Sequence, residues 1–407
     1  MAYLPVALIL AGMTAYTVLA GADFGAGLWT LLAVGRSASA RRLRDEARHA
    51  MGPVWEANHV WLIFVLVIAW TAYPVAYGSI TSTLAAPLLI AAIGIIFRGA
   101  AYALRGALDS SRFAEYLFAL SSVLTPFALG TAVGAIAVGR VPVGNAAGNP
   151  VTSWLNPACV LIGALAVVFS GYLAAVYLAA DSLRHGRREL APAFRRRALL
   201  AGVVCGALAL AGLLVMRRSG LNLTHGVALG LVCVSAVAGL ATLLLCWWYR
   251  FGLARVTAAL AVAAVVVGWA AGQAPRLLPG MTVAQAAASR STLIALTIAV
   301  CCGAVVLVPS LGLLFTLYLR GRLGTPEDTA GVSGVSGVSA VGDGGAGVGA
   351  RAVRTRVRAW AISAAAGLVA GTGLLVFADA GWAHVAGVVC LVGCAVAVFA
   401  LAAPGDV

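Results

Sequence analysis

The chain has 407 residues, of which 62% are hydrophobic and only 10% charged, and its mean hydropathy is +1.01. Soluble domains carry about a quarter charged residues, so these values exclude an ordinary soluble fold and point to a membrane protein. The net charge of +14 rests on 27 basic residues against 13 acids, every base being arginine. Arginine collects in the cytoplasmic loops of membrane proteins, so the charge gives no reason to expect a nucleic-acid partner.

A helix crossing about 30 Å of hydrocarbon needs about 20 apolar residues. Such runs recur along almost the whole chain without the alternation of a membrane barrel, so the fold class is all-α and polytopic. The first helix is expected near 3–33. Its run lacks a basic start and a small-residue cleavage motif, so it reads as a retained helix and not as a signal peptide. Asp23 lies inside it, in GADFGAG, where Gly21, Gly25 and Gly27 form a small-residue face that lets another helix come close. An ionisable group at membrane depth costs a few kcal/mol and usually faces protein or water. Asp23 is therefore either a structural acid bonded to a neighbouring helix or part of a proton route.

Helices two and three are expected near 54–76 and 79–104. The second opens with GPVWEANHVWLI (Gly52–Ile63), which sets Glu56, Asn58 and His59 between Trp55 and Trp61. Pro53 suits the first turn of a helix, where its missing N–H costs nothing. Glu56 then lies about 5 Å inside the helix mouth, as a solvated interfacial acid or as a proton carrier. Glu56 and His59 are three apart and share a helix face, and both residue types can carry protons. Arg98, in FRGAAYALR near the end of the third helix, is expected to snorkel toward the headgroups. Trp55, Trp61 and Trp70 read as interfacial or packing aromatics.

Further helices are expected near 113–138, 154–181, 198–216, 225–248, 254–272 and 290–319, then near 359–378 and 382–402. Between them, 324–350 is a Gly/Val/Ser tract with the composition of a flexible linker. This divides the chain into a nine-helix core over 1–322, a linker over 323–356 and an apolar hairpin over 357–407, with Asp379 and Gly381 in its turn. With the N-terminus outside, 22 arginines fall on one side of the membrane and 5 on the other. That bias sets the Arg-rich loops, and the mouth beside Glu56, in the cytoplasm.

The eight cysteines all lie in apolar runs, without the spacing of a disulfide framework or a metal site. Of His49, His59, His185, His225 and His384, only His59 joins other polar groups inside a span, so no haem or metal is called for in this chain. No phosphate loop, HExxH or GxSxG elbow occurs, which argues against an ATP-driven pump or a hydrolase.

Taken in order, GADFGAGLW (Gly21–Trp29), GPVWEANHVWLI and FRGAAYALR (Phe97–Arg105) resemble subunit II of the cytochrome bd-type quinol oxidases. WLNPACVLIG (Trp154–Gly163, with Asn156), GQAPRLLPGMTVAQAAASRSTL (Gly272–Leu293) and VLVPSLGLLFTLY (Val306–Tyr318) extend the resemblance over roughly 3–320. The resemblance implies a complex of the bacterial plasma membrane that oxidises quinol, reduces O2 to water and takes protons from the cytoplasm. It implies two four-helix transmembrane bundles plus a ninth helix, with haem b and haem d in a partner, subunit I. In some members subunit II supplies an acid-lined proton route or holds a structural quinone. Carried over, Glu56 and Asp23 take the acidic positions, with His59 beside them. Trp55, Asn58, Trp61, Arg98 and Asn156 are the motif positions with structural roles.

Two departures stand out. Some members carry an acid just before Gly21, where this chain has Ala20. The family usually ends soon after its ninth helix, whereas this chain continues through the linker into a hairpin. That hairpin is either an anchor or a fused stand-in for the small single-helix accessory subunits of some bd oxidases. An alternative of another class is a proton-coupled transporter of a small solute, using the same acids and breaks at Pro74, Pro87 and Pro126.

Overall fold

The computed structural model describes residues 2–32, 55–103, 112–184, 186–218 and 223–319, with single positions at 366, 386 and 390. The 323–356 linker, the rest of the 357–407 hairpin, and His49, His185 and His384 lie outside the described residues. Helix α1 (Leu4–Leu32) is followed by α2 (Trp55–Ala72), α3 (Pro74–Thr83), α4 (Ala85–Ala103), α5 (Arg112–Ala137) and α6 (Pro157–Arg184). Then come α7 (Ala191–Arg218), α8 (Gly226–Trp247) and α9 (Phe251–Gln273). Strands β1 (Arg276–Leu278) and β2 (Met281–Thr282), the short α10 (Val283–Ala286) and α11 (Arg290–Leu319) complete the order. Among the described residues six helices are long and apolar enough to cross a membrane, or seven if the bent pair α3–α4 counts as one span. The chain is thus an all-α polytopic membrane protein.

Two boundaries differ from expectation. The runs expected at 54–76 and 79–104 are three helices: α2 ends at Ala72, because Pro74 has no N–H with which to continue it and instead opens α3, and the second run is broken at Leu84. The chain then bends by 82° between α3 and α4. Helix α7 starts at Ala191, not near 198. A hydropathy window rejects Arg195–Arg197, but the helix accepts them with Pro192 in its first turn.

Residues 1–296 form one compact unit and 297–407 a second, of which α11 from Thr297 onward is the main described part. In the first unit α1 packs against α2, α5, α6 and α9, while α6 packs against α5, α7 and α9. Helix α4 lies on α5, and α8 lies on α7 and α9. At the end of the unit near the N-terminus, Tyr73 Oη donates to the Ala2 carbonyl at 2.5 Å. There the loop after α5 is fastened onto α3 by Gly144 and Ala146 N–H groups donating to Ser79 and Ser82 Oγ at 2.9 and 2.7 Å. The β-hairpin belongs to the segment between α9 and α11 and turns at Gly280, whose φ of +76° glycine tolerates. Its strands are too short for sequence periodicity to show. Asp23 lies 21 residues into the chain from Ala2, about 30 Å along α1, toward the opposite end.

Candidate functional site

The GADFGAG stretch locks the second half of α1 to its neighbours. A Cβ on Gly25 would overlap the backbone carbonyl of Ser170 on α6, and one on Gly27 would overlap the side chain of Ser122 on α5. Trp29 Nε1 donates to the Gly171 carbonyl at 2.7 Å and fixes the same crossing. Backbone-to-backbone approach of this kind is what small residues permit between membrane helices. Asp23 lies between these contacts and meets a side chain from α4.

That side chain is Arg98, which is 0% exposed, against 6% for Asp23. Arg98 Nη2 donates to Asp23 Oδ1 at 2.7 Å and to the Asp23 carbonyl at 2.8 Å, and Nε donates to Oδ2 at 3.2 Å. Nη1 donates to Ser122 Oγ, which itself donates to the Phe118 carbonyl at 2.7 Å. The guanidinium carbon lies 4.4 Å from the Phe118 ring centre and 5.0 Å from that of Phe24. This is a two-pronged Arg–carboxylate pair with aromatic walls, a geometry that lysine cannot copy. The expected snorkelling of Arg98 is therefore overturned: its counter-charge lies inside the helix group, so the side chain stays there.

Phe24 links this pair to the GPVWEANHVWLI helix. Its ring centre lies 6.4 Å from that of His59, and Tyr16 approaches His59 from one side at 6.1 Å. His59 is half-buried, and Asn58 beside it is buried. Tyr16 is buried, and its hydroxyl has no hydrogen-bond partner among the described residues. Trp61 packs on the Tyr16–Ala20–Phe24 cluster and meets Phe64 edge-on, whereas Trp70 is exposed. Trp55 and Glu56 belong to the first turn of α2, with their side chains outside the described residues. Asn156 stands apart from this site and caps α6, its Oδ1 accepting from the Cys159 N–H at 3.1 Å.

The structure thus brings together Asp23, Arg98 and His59. Sequence reading missed Ser122, Phe118 and Tyr16 as their partners. One signal was available: opposite charges in two apolar helices invite pairing, because an unpaired charge at membrane depth is costly. Another was Ser121-Ser122, two hydroxyls in an otherwise apolar part of α5. Among the described residues no group of three His, Cys, Asp or Glu side chains could hold a metal ion. Chemically, the arrangement offers a buried fixed ion pair and, across one phenyl ring, an imidazole able to take or give a proton.

Comparison with known proteins gives a consistent picture. The family model described as "Cytochrome bd terminal oxidase subunit II" matches residues 1–318. "Cytochrome bd ubiquinol oxidase subunit 2" of Bacillus subtilis (strain 168) is 30% identical over 115 residues, 28% of this chain. That match spans only 33% of the length of the relative. A chain in the structure of bd oxidase from Geobacillus thermodenitrificans has the same fold, with a TM-score of 0.59 and 22% identity, over 78% of this chain and 98% of that one. With the whole core matched from residue 1 to residue 318, the chain belongs to the cytochrome bd terminal oxidase subunit II family.

Proposed function

We propose that the chain is the haem-free subunit of a bd-type terminal oxidase, a membrane complex that oxidises quinol and reduces O2 to water. Haem b and haem d belong to its partner, the larger subunit I, and supply the electron transfer and O2 chemistry. This subunit contributes the assembly surface and part of proton uptake from the cytoplasm. A structural quinone is the further cofactor it can hold. Family membership supports this reading over the transporter. The observation that carries it within the chain is the Asp23–Arg98 pair, buried beside the His59 helix.

In this reading Glu56 receives protons at the cytoplasmic mouth of α2 and His59, one turn further in, passes or positions them. Asp23 is the acid beyond, and Arg98 sets the field there. The orientation, with the N-terminus outside, is supported by the arginine bias between loops. The packing of α1 with α2 and α5, of α4 with α5, and among α6 to α9 supports two four-helix bundles, and family membership supports α11 as the ninth span. The 357–407 hairpin, beyond the 323–356 linker, serves as an anchor or as a stand-in for single-helix accessory subunits.

The test is Glu56→Gln in the complex purified from its native membrane. Quinol oxidase turnover and proton uptake should both fall, with the haem spectrum retained. Unchanged turnover and uptake would remove the proton role, and purification without b- and d-type haem bands or a second large subunit would remove the oxidase assignment.

A further inference from the structure

The end of the first unit where α6 and α8 finish and α7 and α9 begin holds an unusual concentration of charge. Residues 181–197 and 250–255 carry eight arginines and two acids. One acid, Asp181, is engaged by Arg255 at 2.5 Å. Arg195, Arg196 and Arg197 stand in the second turn of α7, near the positive end of its dipole, where cations are disfavoured. Within these two segments arginines therefore outnumber acids by eight to two.

Arg195 is held in a defined position. Its Nε donates to the Cys246 carbonyl at 3.1 Å, at the end of α8, and its Nη1 to Tyr249 Oη at 3.2 Å. The guanidinium lies 4.7 Å from the Trp247 ring centre and 4.6 Å from that of Tyr249. Nη2 donates to no described residue. In the same two segments Arg188, Arg196 and Arg250 are exposed. Trp247 and Trp248 are 61% and 63% exposed, and Tyr249 takes a left-handed φ of +59° at the turn. Exposed tryptophan and tyrosine at the end of an apolar helix mark the headgroup level of a bilayer. Topology alone accounts for arginines at this end. It does not account for one of them held by two hydrogen bonds and within 5 Å of two aromatic ring centres.

We propose that this corner is a binding site for the phosphate headgroup of an anionic phospholipid. Arg195 is its anchoring cation, Arg188, Arg196 and Arg250 complete the charge, and Trp247 and Trp248 lie along the glycerol and upper acyl region. Basic pockets between membrane helices recognise anionic headgroups through this chemistry. The inference does not depend on the oxidase function and survives if that reading fails.

The probe is short-chain phosphatidylglycerol, titrated into the full chain with its native partners in neutral detergent and read by native mass spectrometry. Phosphatidylcholine and inorganic phosphate serve as comparators. Binding should saturate for phosphatidylglycerol and should weaken about fivefold for each exposed arginine removed, as in Arg196→Gln or Arg188→Gln. Arg276→Gln, in the β1 strand, should change nothing. Arg195→Gln should weaken binding further, and if that variant fails to fold, the R188Q/R196Q pair carries the test. Equal binding of phosphatidylcholine overturns the proposal, as does wild-type affinity in the R188Q/R196Q pair. Displacement by inorganic phosphate at matched concentration also overturns it, by showing a site for free anions.

Discussion

Arg98 on α4 and Asp23 on α1 meet at 2.7 Å with essentially no solvent exposure. They join two helices that are not neighbours in sequence. Breaking a buried pair from one side costs about 3–5 kcal/mol, because it strands the other charge. Arg98→Met should therefore lose heat resistance sharply, whereas Arg98→Met combined with Asp23→Asn should be more stable than Arg98→Met alone. The readout is the fraction of folded chain by gel filtration after a heating series. A double variant weaker than the single one would mean that the pair is not the dominant interaction at this site.

Close helix crossing makes the second prediction. Gly25→Ala places a methyl group into the Ser170 carbonyl, where backbone and not a movable side chain is in the way. The α1–α6 crossing must then open, and the Trp29–Gly171 hydrogen bond should go with it. Gly206→Ala, in α7, meets nothing within 4 Å and should be neutral or stabilising by about 0.5–1 kcal/mol, as for alanine in place of a helix-interior glycine. The amount of intact protein extracted from membranes separates the two, and equal yields would contradict the packing at Gly25.

Tyr16 gives a third. Its hydroxyl is buried without a hydrogen-bond partner among the described residues, so Tyr16→Phe removes a polar group that gains nothing from its surroundings. Stability should stay level or rise by about 1 kcal/mol, the scale of a relieved unsatisfied group. A clear fall in the melting midpoint of the purified protein would show that the hydroxyl holds a water molecule or other partner beside His59.

Much of this was legible from the letters. The apolar runs fixed the class and most helix positions, since membrane insertion leaves hydropathy little competition. GADFGAG announced a close crossing, and the glycines deliver it. Arg98 was misread because hydropathy reports depth and not helix rotation. Whether an arginine near a helix end turns to headgroups or inward depends on where its counter-charge sits, and Asp23 is 75 residues away in sequence. The 82° break between α3 and α4 was hidden for a related reason. Two apolar helices joined by one residue have the composition of a single run, and only packing against the loop after α5 reveals the bend.

The last prediction concerns Asn156, whose motif WLNPACVLIG carried part of the family resemblance but no chemistry. Its Oδ1 accepts from the Cys159 N–H at 3.1 Å, while its Nδ2 donates to the Thr152 and Ser153 carbonyls at 3.2 Å and to Cys159 Sγ at 3.0 Å. One side chain thus caps the first turn of α6 and closes the loop that leads into it, with Pro157 preset for the first helical position. Asn156→Ala should cost about 1–2 kcal/mol. Asn156→Asp should recover the cap to N–H but lose the three Nδ2 bonds, and so fall between the two. Helix α6 carries Ser170 and Gly171, the contacts of the α1 crossing. The damage should therefore show as lower heat resistance of the whole unit and not as local fraying, measurable by limited proteolysis with cleavage sites mapped by mass spectrometry. Cleavage confined to the 150–156 loop, with the α1–α6 contact intact, would mean that the cap acts on the loop alone.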